Sequence, residues 1–242
     1  MQIVGLIPAR LAAQRLPGKP LLDIAGKPMI WHVWNSASKA TSLTTVAVTT
    51  PDREIADIIE QHGGRAVITG NNHRTGSDRL SEASRLLNLA DDDIVVNIQG
   101  DEPMMDPASI DAVVSPLVQD SNLLMSSAMT PCPEDSLDAP AAVKVVCALN
   151  NNALYFSRSR IPHPRQPGGA CTMLHLGLYA YRASFLQLFS TLPPTPLEQS
   201  ESLEQLRALE HGYSIRMVTV SKTSIGVDTL EDLERVRKIM SA

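Results

Sequence analysis

Apolar positions in the first half of the chain follow two alternating periods. Residues 2–8 form a nearly continuous apolar run, the pattern of a strand covered on both faces. Met29, Ile30, Val33, Trp34 and Ala37 recur at helical spacing, with Pro28 placed for a first turn. Residues 44–50 read as a second strand. Ile55, Ile58 and Ile59 mark a helix that ends near Gly63-Gly64. A third strand over 65–69, a helix over about 77–88 and a fourth strand over Ile94–Ile98 complete the half. Strand–helix alternation of this kind predicts an α/β fold with a mainly parallel central sheet and helices on both faces.

The second half is less regular. Residues 123–130 and 142–149 read as strands, followed by a loop rich in Pro and Gly from Ile161 to Gly169. Residues 174–181 alternate apolar side chains with His175 and tyrosines, predicting another strand. Leu203, Leu206, Ala208 and Leu209 predict a helix, Ile215–Val220 a strand, and 229–240 a last helix capped by Asp228 or Thr229. There is neither an internal repeat nor a clean linker. Residues 1–242 are therefore expected to form one domain, with about 130–210 an inserted subdomain carrying a smaller sheet region.

Composition narrows the classes. The 242 residues are 43% hydrophobic and 19% charged, enough for a normal core and unlike a disordered chain. A formal net charge of −5 argues against nucleic acid as a general partner. No apolar run approaches the roughly 20 residues of a membrane span. The start of the chain lacks the basic stretch of a signal peptide. Cys132, Cys147 and Cys171 are an odd number without C-x-x-C spacing, which reads as free thiols in a reducing cytoplasm.

Against this acidic background the first loop is basic. Arg10, Arg15 and Lys19 follow the first strand, and no acid precedes Asp23. Ligands of open α/β sheets bind at the strands' carboxyl ends, so the loop is placed for a polyanion such as a triphosphate. A solvated basic loop would look the same by charge alone. It is neither a Walker loop nor a dinucleotide fingerprint. Gln99-Gly100-Asp101-Glu102-Pro103 leaves the fourth strand at the same edge, and Asp228 follows Ile225-Gly226-Val227. Two such carboxylates can hold Mg²⁺ against phosphate oxygens, although a lone acid after a strand is more often a cap. Asp91-Asp92-Asp93 precedes its strand, lies on the opposite edge and reads as a solvated turn.

The motifs together resemble the sugar nucleotidyltransferases and, over nearly the whole length, the 3-deoxy-D-manno-octulosonate (Kdo) cytidylyltransferases. The likeness rests on Ile7–Arg10, Arg15–Pro20, Gly26–Ile30, His73–Leu80, Asn97–Pro103, Val143–Val146, Leu154–Arg158, His175–Gly177, Leu203–Arg207 and Gly226–Thr229. It implies a Rossmann-like nucleotide-diphospho-sugar transferase fold and transfer of CMP from CTP to Kdo with release of pyrophosphate. The anomeric hydroxyl attacks the α-phosphorus in line. By the same resemblance Arg10, Arg15 and Lys19 cradle the triphosphate, and Asp101 and Asp228 hold Mg²⁺. Pro8, Ala9, Thr75, Gly76, Ser77, Arg79, Gln99 and Gly100 surround the cytidine. Arg158 is the first candidate for the sugar carboxylate, with Arg165 the second, and His175, Tyr179, Glu204 and Gln205 meet sugar hydroxyls. The family implies a homodimer, and residues 174–181 are the expected interface.

Three departures border the sugar side. Ala141 stands where the family usually has Asn, His163 where it often has Trp, and the loop Pro164–Gly169 is short. Alternative readings are a cytidylyltransferase for 8-amino-Kdo or a sialic acid, a glycosyltransferase of similar fold, and a non-catalytic nucleotide-binding module. The glycosyltransferase reading lacks its Asp-x-Asp motif. Retention of both acids and all three loop cations opposes the non-catalytic one.

Overall fold

A computed structural model describes residues 1–12, 16–166, 169–222 and 224–241. In chain order the strands and helices are β1 (Ile3–Pro8), β2 (Asp23–Ile24), β3 (Lys27–Pro28), α1 (Met29–Ala37), β4 (Thr45–Thr50), α2 (Arg53–Gln61), β5 (Arg65–Ile68), α3 (Gly76–Leu86), β6 (Ile94–Asn97) and α4 (Pro107–Gln119). They continue with β7 (Met125–Pro131), β8 (Lys144–Cys147), β9 (Ala153–Ser157), β10 (Met173–Arg182), α5 (Ala183–Phe189), α6 (Pro196–Glu201), α7 (Gln205–Glu210), β11 (Arg216–Thr219) and α8 (Leu230–Met240).

The main sheet runs β11-β7-β10-β6-β1-β4-β5. Its β6-β1-β4-β5 half is parallel, as is the β11–β7 pair, while β10 lies antiparallel to both β6 and β7. The chain moves from β1 outward through β4 and β5, then returns to place β6 on the other side of β1. That reversal is a topological switch point, and it opens a crevice at the carboxyl ends of β1 and β6.

Alternation along β1 and β6 divides the core between the two faces. Leu6 and Val95 pack with Leu80, Phe185 and Phe189 on one face. Ile7 and Val96 pack with Ile30, Val33, Ile55 and Val113 on the other. Both sets are essentially solvent-free, which is why these strands read as continuous apolar runs.

The sequence left α4, α5, α6 and β9 unassigned. The signal for α4 was present, since Ile110, Val113, Val114 and Leu117 are buried at helical spacing, but Pro116 sits in its last turn. Pro28 is the N-cap of α1, in extended conformation, and not a first-turn residue. Thr229 caps α8 through a reciprocal box with Asp232. Within 130–210, β10 is built into the main sheet; β8 and β9 extend from it as an antiparallel ribbon. Among the described residues no helix is long and apolar enough to cross a membrane.

Candidate active site

Three segments meet at the switch point. β1 ends at Pro8 and Ala9, whose amide bonds Thr49 O at 3.0 Å. The turn after β6 presses against it. A Cβ on Gly100 would lie 2.5 Å from the Pro8 carbonyl oxygen, so no other residue permits this approach. From the first loop, Gly18 in left-handed conformation (φ 69°) turns the chain into a short 3₁₀ turn that starts at Lys19.

Lys19 Nζ donates to Asp101 Oδ2 at 2.8 Å, Asp228 Oδ1 at 3.1 Å and Val227 O at 2.8 Å. The Val227 amide donates in turn to Asp101 O at 2.9 Å. Two acids 127 positions apart therefore converge on one cation. This is the donor set a hard divalent ion uses: carboxylate oxygens of opposite origin, with phosphate oxygens and water to complete the shell. Among the described residues no group of three or more His, Cys, Asp or Glu side chains could hold a metal. An ion here would thus depend on oxygens supplied by substrate. Glu102, next in sequence, is pushed up to about 7 by burial and by the neighbouring Asp101 charge.

The cleft beside this cluster has a volume of about 430 Å³. Pro8, Ala9, Arg10, Lys19, Thr75, Gly76, Arg79, Gln99, Gly100, Asp101 and Asp228 line it, as the sequence reading expected. Arg15 lies outside the described residues. Leu16, His73 and Arg74 also line it, with no role assigned from sequence. Thr75 caps α3 by a reciprocal box with Asp78, and this N-terminus, Thr75 and Gly76, lines the cleft. Arg79 is buried and pinned by Thr69 Oγ1 at 2.5 Å and Gly70 O at 3.1 Å; burial, then Arg10, lowers its pKa. Glu82 accepts from the Gly70 amide and contacts His73, fixing that ring at the cleft mouth.

A second cavity of about 240 Å³ adjoins the first and shares Pro8, Gly76 and Gln99 with it. Ser77, Asn97, Gly177, Tyr179, Glu204 and Gln205 line it. β10 is irregular between Leu176 and Tyr179, and Gly177 O there accepts from Gln99 Nε2 at 2.8 Å. Glu204 Oε2 accepts from Ser77 Oγ at 2.9 Å, and burial raises its pKa. Glu204 Oε1, Gln205 Nε2 and Asn97 Oδ1 are buried without a hydrogen-bond partner. Glu204 Oε1 also stands 3.6 Å from Arg207 in an ion pair. Such atoms are rare in folded proteins, and three around one cavity mark a site built for a polar ligand. Asn97 was assigned no role from sequence, because it reads as an interior residue of a buried strand; the structure ends β6 there.

Two expected sugar ligands are not brought to this cavity. His175 lies behind Tyr179, buried between that ring and Phe156, and its Nε2 meets Ser127 Oγ at 3.0 Å. Burial pushes its pKa down to about 3, so the ring is neutral. Arg158 donates to the backbone oxygens of Glu201 at 2.8 Å, Pro140 at 2.8 Å and Ser202 at 3.4 Å, away from the lining. No lysine or arginine is among the described residues lining the cavity.

Comparison with known proteins agrees with this geometry. A cytidylyltransferase family model matches residues 4–218. The 3-deoxy-manno-octulosonate cytidylyltransferase of Syntrophobacter fumaroxidans (strain DSM 10017 / MPOB) is 48% identical, covering 100% of this chain and 98% of its own. That of Syntrophus aciditrophicus (strain SB) is 46% identical over 99% and 97%. A solved CMP:2-keto-3-deoxy-manno-octonic acid synthetase complexed with CTP superposes with a TM-score of 0.94 at 42% identity, covering 100% and 99% of the two chains. The chain belongs to the cytidylyltransferase family and, within it, to the 3-deoxy-manno-octulosonate cytidylyltransferases.

Proposed function

We propose that this chain transfers CMP from CTP to Kdo and releases pyrophosphate, activating the sugar for lipopolysaccharide synthesis. The observation that carries the reading is the pair of adjoining cavities: a cleft with converging acids and cations, and a smaller one with unpartnered polar atoms. The first suits a triphosphate with its metal and the second a polyhydroxylated sugar. Their shared wall at Gly76 and Gln99 is where the α-phosphate and the attacking hydroxyl would meet.

The reaction asks the protein for alignment and for neutralisation of growing charge. The sugar's anomeric oxygen bonds to the α-phosphorus as the bond to the bridging oxygen breaks, and pyrophosphate leaves. Arg10 and Lys19 offset charge on the triphosphate, with Arg15 joining them from the same loop. Asp101 and Asp228 would hold Mg²⁺. When bound, that ion lowers the pKa of the attacking hydroxyl and neutralises the α-phosphate. Thr75 and the backbone at Pro8 and Ala9 border the space for cytidine. Glu204, Gln205, Asn97 and Tyr179 take sugar hydroxyls. We further propose that the chain acts in the cytoplasm as a homodimer.

Pyrophosphate release from CTP, measured side by side with Kdo, 8-amino-Kdo and N-acetylneuraminic acid, tests the reading. Kdo should give the highest kcat/KM, because a site built to pair particular groups rejects ligands that leave them unpaired. A higher value for either rival would overturn the substrate assignment. No release with any of the three would overturn the activity.

A further inference from the structure

We infer that Glu201 and Arg158 form a clamp that sets the position of Glu204 and Gln205, and that Arg158 serves the sugar through this clamp instead of pairing with its carboxylate. The inference rests on the Kdo reading above for its kinetic arm only.

The two sugar-facing side chains stand just beyond a strained turn. α6 ends at Glu201, and Ser202 then adopts φ 53°, ψ 49°. L side chains seldom take that left-handed conformation, so surrounding contacts must hold it. Glu204 follows two residues later as the N-cap of α7 and has no side-chain cap bond of its own. A rotation at Ser202 would swing Glu204 and Gln205 relative to the cavity.

The β8–β9 ribbon grips this turn, in addition to the direct tie between α6 and α7 in which Arg207 Nε donates to Glu198 Oε2 at 2.8 Å. The Glu201 carboxylate accepts from Ser157 Oγ at 2.6 Å, Arg158 N at 3.0 Å and Tyr155 OH at 3.4 Å. Burial alone would raise this acid's pKa, but these donors outweigh it and keep the group low, hence ionised. In the other direction the Arg158 guanidinium reaches back over the same turn. Its Nε meets Glu201 O, its Nη2 Ser202 O and its Nη1 Pro140 O. The arginine is itself anchored. Lys144 is fully buried and its ammonium donates to Arg158 O at 2.9 Å, Ala139 O at 2.8 Å and Ala142 O at 2.7 Å. Lys144 thus fixes both Arg158 and the turn that contains Pro140. With every guanidinium nitrogen on a backbone oxygen, Arg158 is a crosslink between ribbon and turn.

The test uses Arg158→Ala, Glu201→Ala and the double variant of the full chain. At saturating CTP, each single variant should raise KM for Kdo by roughly 10- to 100-fold, the scale of a small misplacement of binding groups. KM for CTP should stay within about two-fold, and the double variant should be no worse than either single one, as for residues that act as a unit. Kdo and its C1 carboxamide separate positioning from direct pairing. A clamp loses kcat/KM for both by the same factor in Arg158→Ala. A selective loss for the carboxylate form would overturn the inference, as would additive losses in the double variant. Hydrogen exchange without any substrate is the arm independent of the Kdo reading. Backbone amides over 202–207 should lose protection in Glu201→Ala while those of β6 keep it. Unchanged protection there would overturn the clamp even if Kdo is the substrate.

Discussion

Acidification probes the packing that supports the sugar cavity, through His175. Its ring stands edge-on 4.9 Å from Phe156 and 5.3 Å from Tyr179, whose other side faces the cavity. Burial pushes the His175 pKa from 6.5 down to about 3. Between those values the unfolded chain binds a proton that the folded chain refuses. The stability this group contributes is therefore complete above the unfolded value and falls as pH drops through the window. Moving to about pH 5 crosses one and a half units, each worth about 1.4 kcal/mol, so about 2 kcal/mol is lost. Urea unfolding of the parent and of His175→Gln, each at about pH 8 and about pH 5, isolates the effect. The glutamine does not titrate. The variant should be less stable at the higher pH through lost packing, yet its acid-induced loss should be smaller by about 2 kcal/mol. Carboxylates common to both proteins cancel in that difference. Equal acid-induced losses would refute the reasoning, because they would mean that His175 protonates as readily folded as unfolded.

Lys19→Met removes the ammonium that Asp101 and Asp228 share. These acids are 33% and 46% exposed, so each pair is discounted to about 1 kcal/mol or less. KM for CTP should therefore rise, while the Mg²⁺ concentration for half-maximal turnover at saturating CTP should fall by roughly 10-fold; an unchanged Mg²⁺ requirement would refute the competition. Asp101→Asn or Asp228→Asn should lower turnover by roughly 10²-fold or more at saturating Mg²⁺, and near-normal turnover would remove that residue from the metal site. Gly100→Ala places a methyl 2.5 Å from the Pro8 carbonyl. It should cost about 1–3 kcal/mol in urea unfolding and raise KM for CTP more than KM for Kdo, and a variant as stable as the parent would show that β1 yields at its end.

The parallel half of the fold was legible because β1, β4 and β6 are buried on both faces and must read as apolar runs. The triphosphate loop was legible for a related reason. Its cations follow one strand directly, so position in sequence fixes position at the sheet edge. Nothing comparable holds on the sugar side. Glu204 and Gln205 sit on a short helix whose placement depends on Ser202 and on contacts with β9, an element that sequence periodicity did not reveal. Arg158 shows the limit most clearly. Its chemistry suits a carboxylate, and only coordinates reveal that carbonyl oxygens have claimed it. His175 was singled out by its motif as a sugar ligand, but burial and Ser127 make it a support for Tyr179.

The two halves must still hold a fixed distance, and Gln99 shows how. Its backbone leads from β6 into the turn that packs Gly100 on Pro8, so it belongs to the triphosphate cleft. Its side chain reaches across to Gly177 O at the irregular point of β10, so it also forms the wall of the sugar cavity. β6 and β10 are adjacent and antiparallel, with Tyr179 opposite Asn97. The pairing of β10 with β7 is irregular between Leu176 and Tyr179, the stretch in which Gly177 O meets the Gln99 amide. A two-substrate displacement gains most from holding both partners in a reactive geometry before chemistry begins. Gln99 lines both cavities and is bonded from the end of β6 to β10, so the spacing between the two cavities is held within a single sheet.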